Sequence, residues 1–197
     1  MFLLIDSVIL SSSLTTIVVT SFVCVGESVL AGTTFSIVFS TMLFGLSKGD
    51  ELMIEGPYGK FVLKEEHKDK DIVFFAAGSG IAPLMSMMRS LKYEKNKQKI
   101  YLFFGFRNAD DFIYKKEISN YPKDFANFKL IPCVSSCDKL EIDCEEGRVS
   151  LEIVKKYLDN PSNKNAFICG APTFVKDVKK LCLDFGFKEE NVRIEVY

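Results

Sequence analysis

The sequence predicts an α/β domain built on a five-stranded parallel sheet and entered through a short antiparallel β unit. Three observations predict it. From residue 72 onward, short apolar runs alternate with amphipathic stretches, the mark of parallel strands joined by helical crossovers. A Gly-x-Gly turn follows the first of these runs, where a strand would hand over to a helix. The opening 47 residues hold only two charges, Asp6 and Glu27, against 49 in the rest of the chain.

Those 47 residues contain 27 apolar side chains and 15 Ser or Thr. Residues 7–25 are uncharged, yet eight of these 19 are Ser or Thr and many others are β-branched. Such runs favour strands over helices. A secretory signal starts with basic residues, whereas the first charge here is Asp6. A membrane helix is about 20 mostly apolar residues. The preferred reading is buried strands of a small β domain. A surface-anchoring segment and an altered start of the chain are the alternatives.

Lys48-Gly49-Asp50 signals a turn, and residues 51–56 alternate as a strand does. Gly56-Pro57-Tyr58-Gly59 then turns into a second short strand over 60–63. Residues 64–71 (KEEHKDKD) read as a charged linker, with a domain boundary between 66 and 67. Residues 72–77 (IVFFAA) are uniformly apolar, as in a strand covered on both faces. Residues 82–93 form a helix with Pro83 in its first turn. Strands follow at 99–104, 128–134, 165–169 and 191–196, with helices at 111–119, 149–158 and 173–185.

Composition removes several functions. The chain has 197 residues, 48% apolar and 26% charged, as in ordinary globular proteins. At this length about 70% of the unfolded surface is buried without staples. A net charge of −1 gives no basis for nucleic-acid binding. The single histidine, His67, lies in the polar run and argues against a catalytic triad or a histidine metal site. Cysteines 24, 133, 137, 144, 169 and 182 match no zinc or iron–sulfur spacing. They read as reduced thiols of a cytoplasmic protein, with no metal and no membrane contact expected.

Ligands of open parallel sheets bind beyond the carboxyl ends of the strands, where strand order reverses. Three segments fall at such ends. Gly78-Ser79-Gly80-Ile81-Ala82-Pro83 pairs a glycine turn with a helix start, which suits a phosphate. A plain tight turn is the bland alternative, because Pro83 stands where the usual dinucleotide fingerprint has a third glycine. Gly105-Phe106-Arg107 places a basic group at the second strand end, suited to a ribose or 2′-phosphate or to solvent alone. Cys169-Gly170-Ala171-Pro172 turns sharply, and its thiol is either at the site or a buried structural cysteine.

In this order, residues 49–61 (GDELMIEGPYGKF), 73–91 (VFFAAGSGIAPLMSMMRSL), 103–114 (FFGFRNADDFIY), 145–150 (EEGRVS), 167–172 (FICGAP) and 192–197 (VRIEVY) resemble the ferredoxin–NADP reductase superfamily. The resemblance runs from Phe39 to the end. It implies an antiparallel β-barrel that binds FAD, joined to an α/β domain that binds NAD(P). On this chain that means a short or partial barrel over 1–66 and the NAD(P) domain over 67–197. By the same resemblance, Gly78, Ser79, Gly80, Ile81, Ala82 and Pro83 wrap the pyrophosphate, and Arg107 contacts the adenosine ribose or its 2′-phosphate. Cys169, Gly170, Ala171 and Pro172 lie beside the nicotinamide. Glu195 and Tyr197 match an acidic-x-aromatic ending whose ring stacks on the flavin. Ser40 and Thr41 fall where a Gly-x-x-Ser element steadies the flavin pyrophosphate, although Ile37 replaces the glycine. The family's Arg-x-Tyr-Ser flavin segment has no counterpart, since the first arginine is Arg89.

The implied activity is hydride transfer from NAD(P)H to FAD, then electron transfer to a protein such as a ferredoxin or an oxygenase component. A nucleotide-binding module without flavin chemistry is the alternative, and an anchored electron-transfer subunit is a third. Arg107 suits NADPH, while the acidic Asn108-Ala109-Asp110-Asp111 tilts the reading toward NADH.

Overall fold

The computed structural model describes residues 9–11, 16–18, 45–47, 50, 59–134 and 142–196. The chain divides into two units, Met1–Lys60 and Phe61–Tyr197. In the first, β1 (Ile9–Ser11) pairs antiparallel with β2 (Thr16–Val18), Leu10 opposite Ile17. The strand expected over 51–56, and most of the expected barrel, lie outside the described residues. Residues 60–63, expected as a strand, join no sheet. Phe61 and Leu63 instead pack against the core of the second unit.

The second unit is a parallel sheet of β3 (Asp71–Ala77), β4 (Ile100–Phe106), β5 (Phe128–Val134), β6 (Glu145–Glu146), β7 (Lys164–Gly170) and β8 (Val192–Val196). Spatial order is β6-β5-β4-β3-β7-β8, so six strands stand where five were expected. The extra strand, β6, is two glutamates long, too short and too polar to show a strand period. It pairs Cys133 with Glu145 and Val134 with Glu146. The Glu145 carboxylate accepts bonds from Lys156 Nζ and Tyr157 Oη, both at 2.6 Å, which anchors the strand to the next helix.

Strand alternation sorts side chains onto two faces. Ile72, Phe74 and Ala76 face α1 (Ile81–Tyr93), whose Leu84, Met85, Met88 and Leu91 are buried. Of the helix expected over 111–119 only α2 (Lys115–Ile118) forms, and a second short helix, α3 (Tyr121–Asp124), follows beyond it. Arg89 of α1 grips Glu117 of α2 in a two-pronged pair at 2.8 and 2.7 Å. On the other face Val73 and Phe75 join α4 (Leu151–Tyr157) and α5 (Pro172–Phe185). Phe75 and Phe103 stack there at 5.0 Å between centroids. Each fully buried Phe contributes about 2 kcal/mol. Ser150 caps α4 by accepting the Ile153 N–H at 3.3 Å. Gly186, at φ +110°, ends α5 and donates to the Cys182 and Leu183 carbonyls.

At the amino end of the sheet, buried Lys164 donates to Asp71 at 3.0 Å and lies 3.4 Å from exposed Asp159. The other Asp71 oxygen accepts the Lys99 N–H at 3.0 Å. One carboxylate thus ties the starts of β3, β4 and β7.

Two further expectations are corrected. His67, read as part of a solvated linker, is 2% exposed. Residues 65–67 form a tight 3-10 turn that carries the ring inward against Phe167. Cys144, expected as a reduced thiol, is disulfide-bonded, its partner lying outside the described residues. No spacing rule in the sequence marked it. Among the described residues no helix is long and apolar enough to cross a membrane.

Candidate functional site

Strand order reverses at β3, which pairs with β4 on one side and β7 on the other. The chain leaves β3 and β7 toward opposite faces of the sheet, which opens a crevice at their carboxyl ends. The Gly78–Gly80 turn and the Gly170–Ala171 turn form its two lips.

The glycines divide by task. Gly78 is exposed at φ +53°, where other residues are strained, and a Cβ there would meet nothing within 4 Å. The space in front of this turn is open. Gly80 is buried, and a Cβ on it would fall 2.3 Å from the Cys169 carbonyl oxygen. Only a residue without a side chain lets the turn rest against the backbone of β7. Gly170 is similarly confined, with the Phe174 ring 2.9 Å from where its Cβ would be.

Both helices that start at this edge have unsatisfied N–H groups. At α1 and α5 no side chain caps the first turn and no acidic residue lies in it. Ser79, Ala82, Ala171 and Pro172 are exposed at these starts, and Pro83 is half-buried. The Ile81 side chain is fully buried in the core, and its N–H donates to the Gly78 and Ser79 carbonyls. Thr173, exposed in the first turn of α5, went unmarked in the sequence. Its place directly after the Cys-Gly-Ala-Pro run was the available signal.

Cys169 stands opposite Ala76 on one side and Glu195 on the other. Burial, and then the Glu195 charge, push its thiol up to about 12. It is therefore a neutral S–H donor at pH 7 and no thiolate nucleophile. Burial holds Cys133 and Cys182 at about 12 as well. Iodoacetamide at pH 7.5 is expected to leave all three unlabelled in the folded protein and to label them in denaturant, read by peptide mass mapping. Labelling of native Cys169 at the rate of a free thiol would contradict its burial.

Arg107 is exposed one residue past β4 and makes no ion pair among the described residues. Asp111, expected to repel a phosphate, turns back to cap its own loop, accepting the Asn108 N–H at 3.1 Å. Ser40, Thr41 and Tyr197 lie outside the described residues. The structure thus brings the 78–83 turn and the 169–172 turn together with Glu195, and leaves Arg107 beyond them at the end of β4.

Open space at Gly78, two uncapped helix starts and a neutral thiol fit a dinucleotide pyrophosphate and its nicotinamide. The comparisons agree. The family described as "Oxidoreductase NAD-binding domain" matches residues 74–180. The reductase component of propane 2-monooxygenase from Rhodococcus jostii (strain RHA1) is 31% identical over 152 residues, 75% of this chain and 40% of that protein. One component of the Na(+)-translocating NADH-quinone reductase of Neisseria meningitidis (strain MC58, serogroup B) is 28% identical over 163 residues, 79% of this chain and 39% of that one. The chain therefore spans about two fifths of the length of these relatives. A flavohemoglobin from Malassezia yamatoensis, solved with FAD and heme, shares the fold at TM-score 0.64 and 20% identity, over 80% of this chain and 40% of that one. With the family match covering more than half of its residues, the chain belongs to the oxidoreductase NAD-binding domain family of the ferredoxin–NADP reductase superfamily.

Proposed function

We propose that this chain carries the pyridine-nucleotide half of a flavin-dependent NAD(P)H oxidoreductase that delivers electrons to a protein acceptor, a ferredoxin or an oxygenase component. One observation carries the reading. Gly80 lets the phosphate turn seat on the Cys169 carbonyl, so a single ligand lying across the crevice meets both lips.

In this reading the exposed backbone of Gly78, Ser79 and Ala82, with the Gly80 N–H, wraps the pyrophosphate, while Ile81, whose N–H donates to the Gly78 and Ser79 carbonyls, and Pro83 shape the turn. Arg107 reaches the adenosine ribose. Cys169, Gly170, Ala171 and Pro172 form the nicotinamide wall, and Glu195 flanks Cys169. The nucleotide supplies a hydride from its nicotinamide, and FAD accepts it when bound. The protein supplies alignment and an environment that excludes water. The Cys169 thiol keeps its proton throughout, so it takes no part in the hydride step as a base or a nucleophile. Ser40 and Thr41, in a partial FAD barrel ahead of the sheet domain, and Tyr197, directly after β8, are proposed for the flavin side. NADH is the proposed donor, as the name of the Neisseria meningitidis relative includes it.

Visible absorption after addition of FAD and gel filtration tests this directly. A retained flavin spectrum that bleaches with NADH or NADPH is expected. Replacing Cys169 with Ala should slow bleaching about tenfold, or about 1.4 kcal/mol, with nucleotide affinity little changed. A colourless protein that binds nucleotide but keeps no FAD would leave the binding-module reading, which the absent Arg-x-Tyr-Ser segment favours.

A further inference from the structure

The segment 61–68 is more than a connection. Phe61 lies edge-on to Phe167 at 5.9 Å, and His67 does the same at 5.4 Å. Leu63 packs on the same core cluster. The His67 carbonyl accepts the buried Asn165 Nδ2 at 2.9 Å. These residues strap the chain across β7.

Lys68 pairs with Glu94 at one end of the strap, and the His67 end depends on protonation state. His67 Nδ1 accepts the Lys64 N–H at 3.0 Å, so in this arrangement the imidazole proton sits on Nε2. Nε2 is buried without a hydrogen-bond partner and lies 3.5 Å from a carboxylate oxygen of exposed Glu66. A second proton must go to Nδ1. That turns the ring's one acceptor into a donor aimed at another donor, and it places a charge among Phe61, Phe167 and Leu63. The charged groups facing the ring are Glu66, Lys64 and Asp69 of its own segment and Arg193 of β8. β7 offers only the neutral Asn165 and Phe167. Arg193 and Lys64 oppose a further positive charge. Glu66 and Asp69 favour one, but Glu66 is exposed and screened by solvent.

We propose that residues 61–68 form a pH-released strap, docked on β7 while His67 is neutral and freed when it is protonated. Burial and Arg193 lower the docked histidine below its ordinary 6.5. The undocked state then binds the extra proton more readily, so docking is complete above pH 6.5 and weakens as pH falls below it.

The full chain has one histidine, so its imidazole resonances report His67 unambiguously. Hydrogen exchange of the 61–68 peptide, corrected for intrinsic rate, reads the strap itself. Between pH 7.5 and 5.5 opening should rise about tenfold in the wild type, with β3 still protected. In His67→Asn, whose Oδ1 can accept the Lys64 N–H without titrating, opening should be flat. The imidazole should titrate below 6.5. Titration at or above 6.5 with flat strap exchange would overturn the proposal. So would an equal acid response in His67→Asn. Should that variant fail to fold, the wild-type titration and exchange decide alone.

Discussion

Gly80→Ala is expected to cost about 1–3 kcal/mol, because its Cβ would lie 2.3 Å from one backbone oxygen and no flexible side chain is there to yield. The turn must lift off β7, or β7 must bend. Either movement parts the lips of the crevice, so nucleotide affinity should fall about tenfold or more, beyond what the stability loss alone explains. Calorimetry with NADH and NADPH, beside a thermal melt, separates the two effects. For a domain of this size each kcal/mol moves Tm by about 2–4 °C. Gly78→Ala is the control. Its strain is the left-handed backbone, worth about 1–2 kcal/mol, with open space around the new methyl group. It should melt lower without moving the β7 wall. Equal, small losses of affinity in both variants would show that Gly80 does not set the site.

Asp71→Asn is expected to cost about 3–5 kcal/mol, the range for a buried cation deprived of its partner. Lys164 is 4% exposed, and without the Asp71 carboxylate its nearest remaining anion is Asp159 at 3.4 Å, which is exposed to water. The Lys99 N–H would keep an acceptor, so the loss isolates the charge. Lys164→Met should be close to neutral, since the stem stays buried and both charges are no longer confined together. Urea melts of the two single variants and of the double variant give the coupling. A double variant as unstable as Asp71→Asn would show that the pair is not what holds these strand starts.

The long elements of the second unit were legible because their periods are strong. Residues 72–77 are apolar without interruption, and the segments at 82–93 and 173–185 are amphipathic with proline at the start. β6 was not legible, since two glutamates carry no pattern and their pairing depends on Lys156 and Tyr157. His67 misled because KEEHKDKD is polar as a string, while a single tight turn points one ring inward and the charges outward. The sequence marked the turns at 78–83 and 169–172, and the structure sets them side by side. The sequence did not distinguish the glycine that faces open space from the glycine that bears on backbone. That difference lies in distances across strands that are far apart in the chain.

The central strand β3 meets β4 after a short excursion and β7 only after a long one. The contact from Lys99 to Asp71 spans 28 positions, and that from Lys164 to Asp71 spans 93. Closing the larger loop is entropically dearer and slower. During synthesis the Gly78–Gly80 turn leaves the ribosome well before residues 164–170 exist to support it. Until β7 arrives, the turn has no wall to rest on and the two lips are a single lip. Nucleotide capture is therefore a property of the finished chain, and the nucleotide can stabilise the fold only after β7 has closed it.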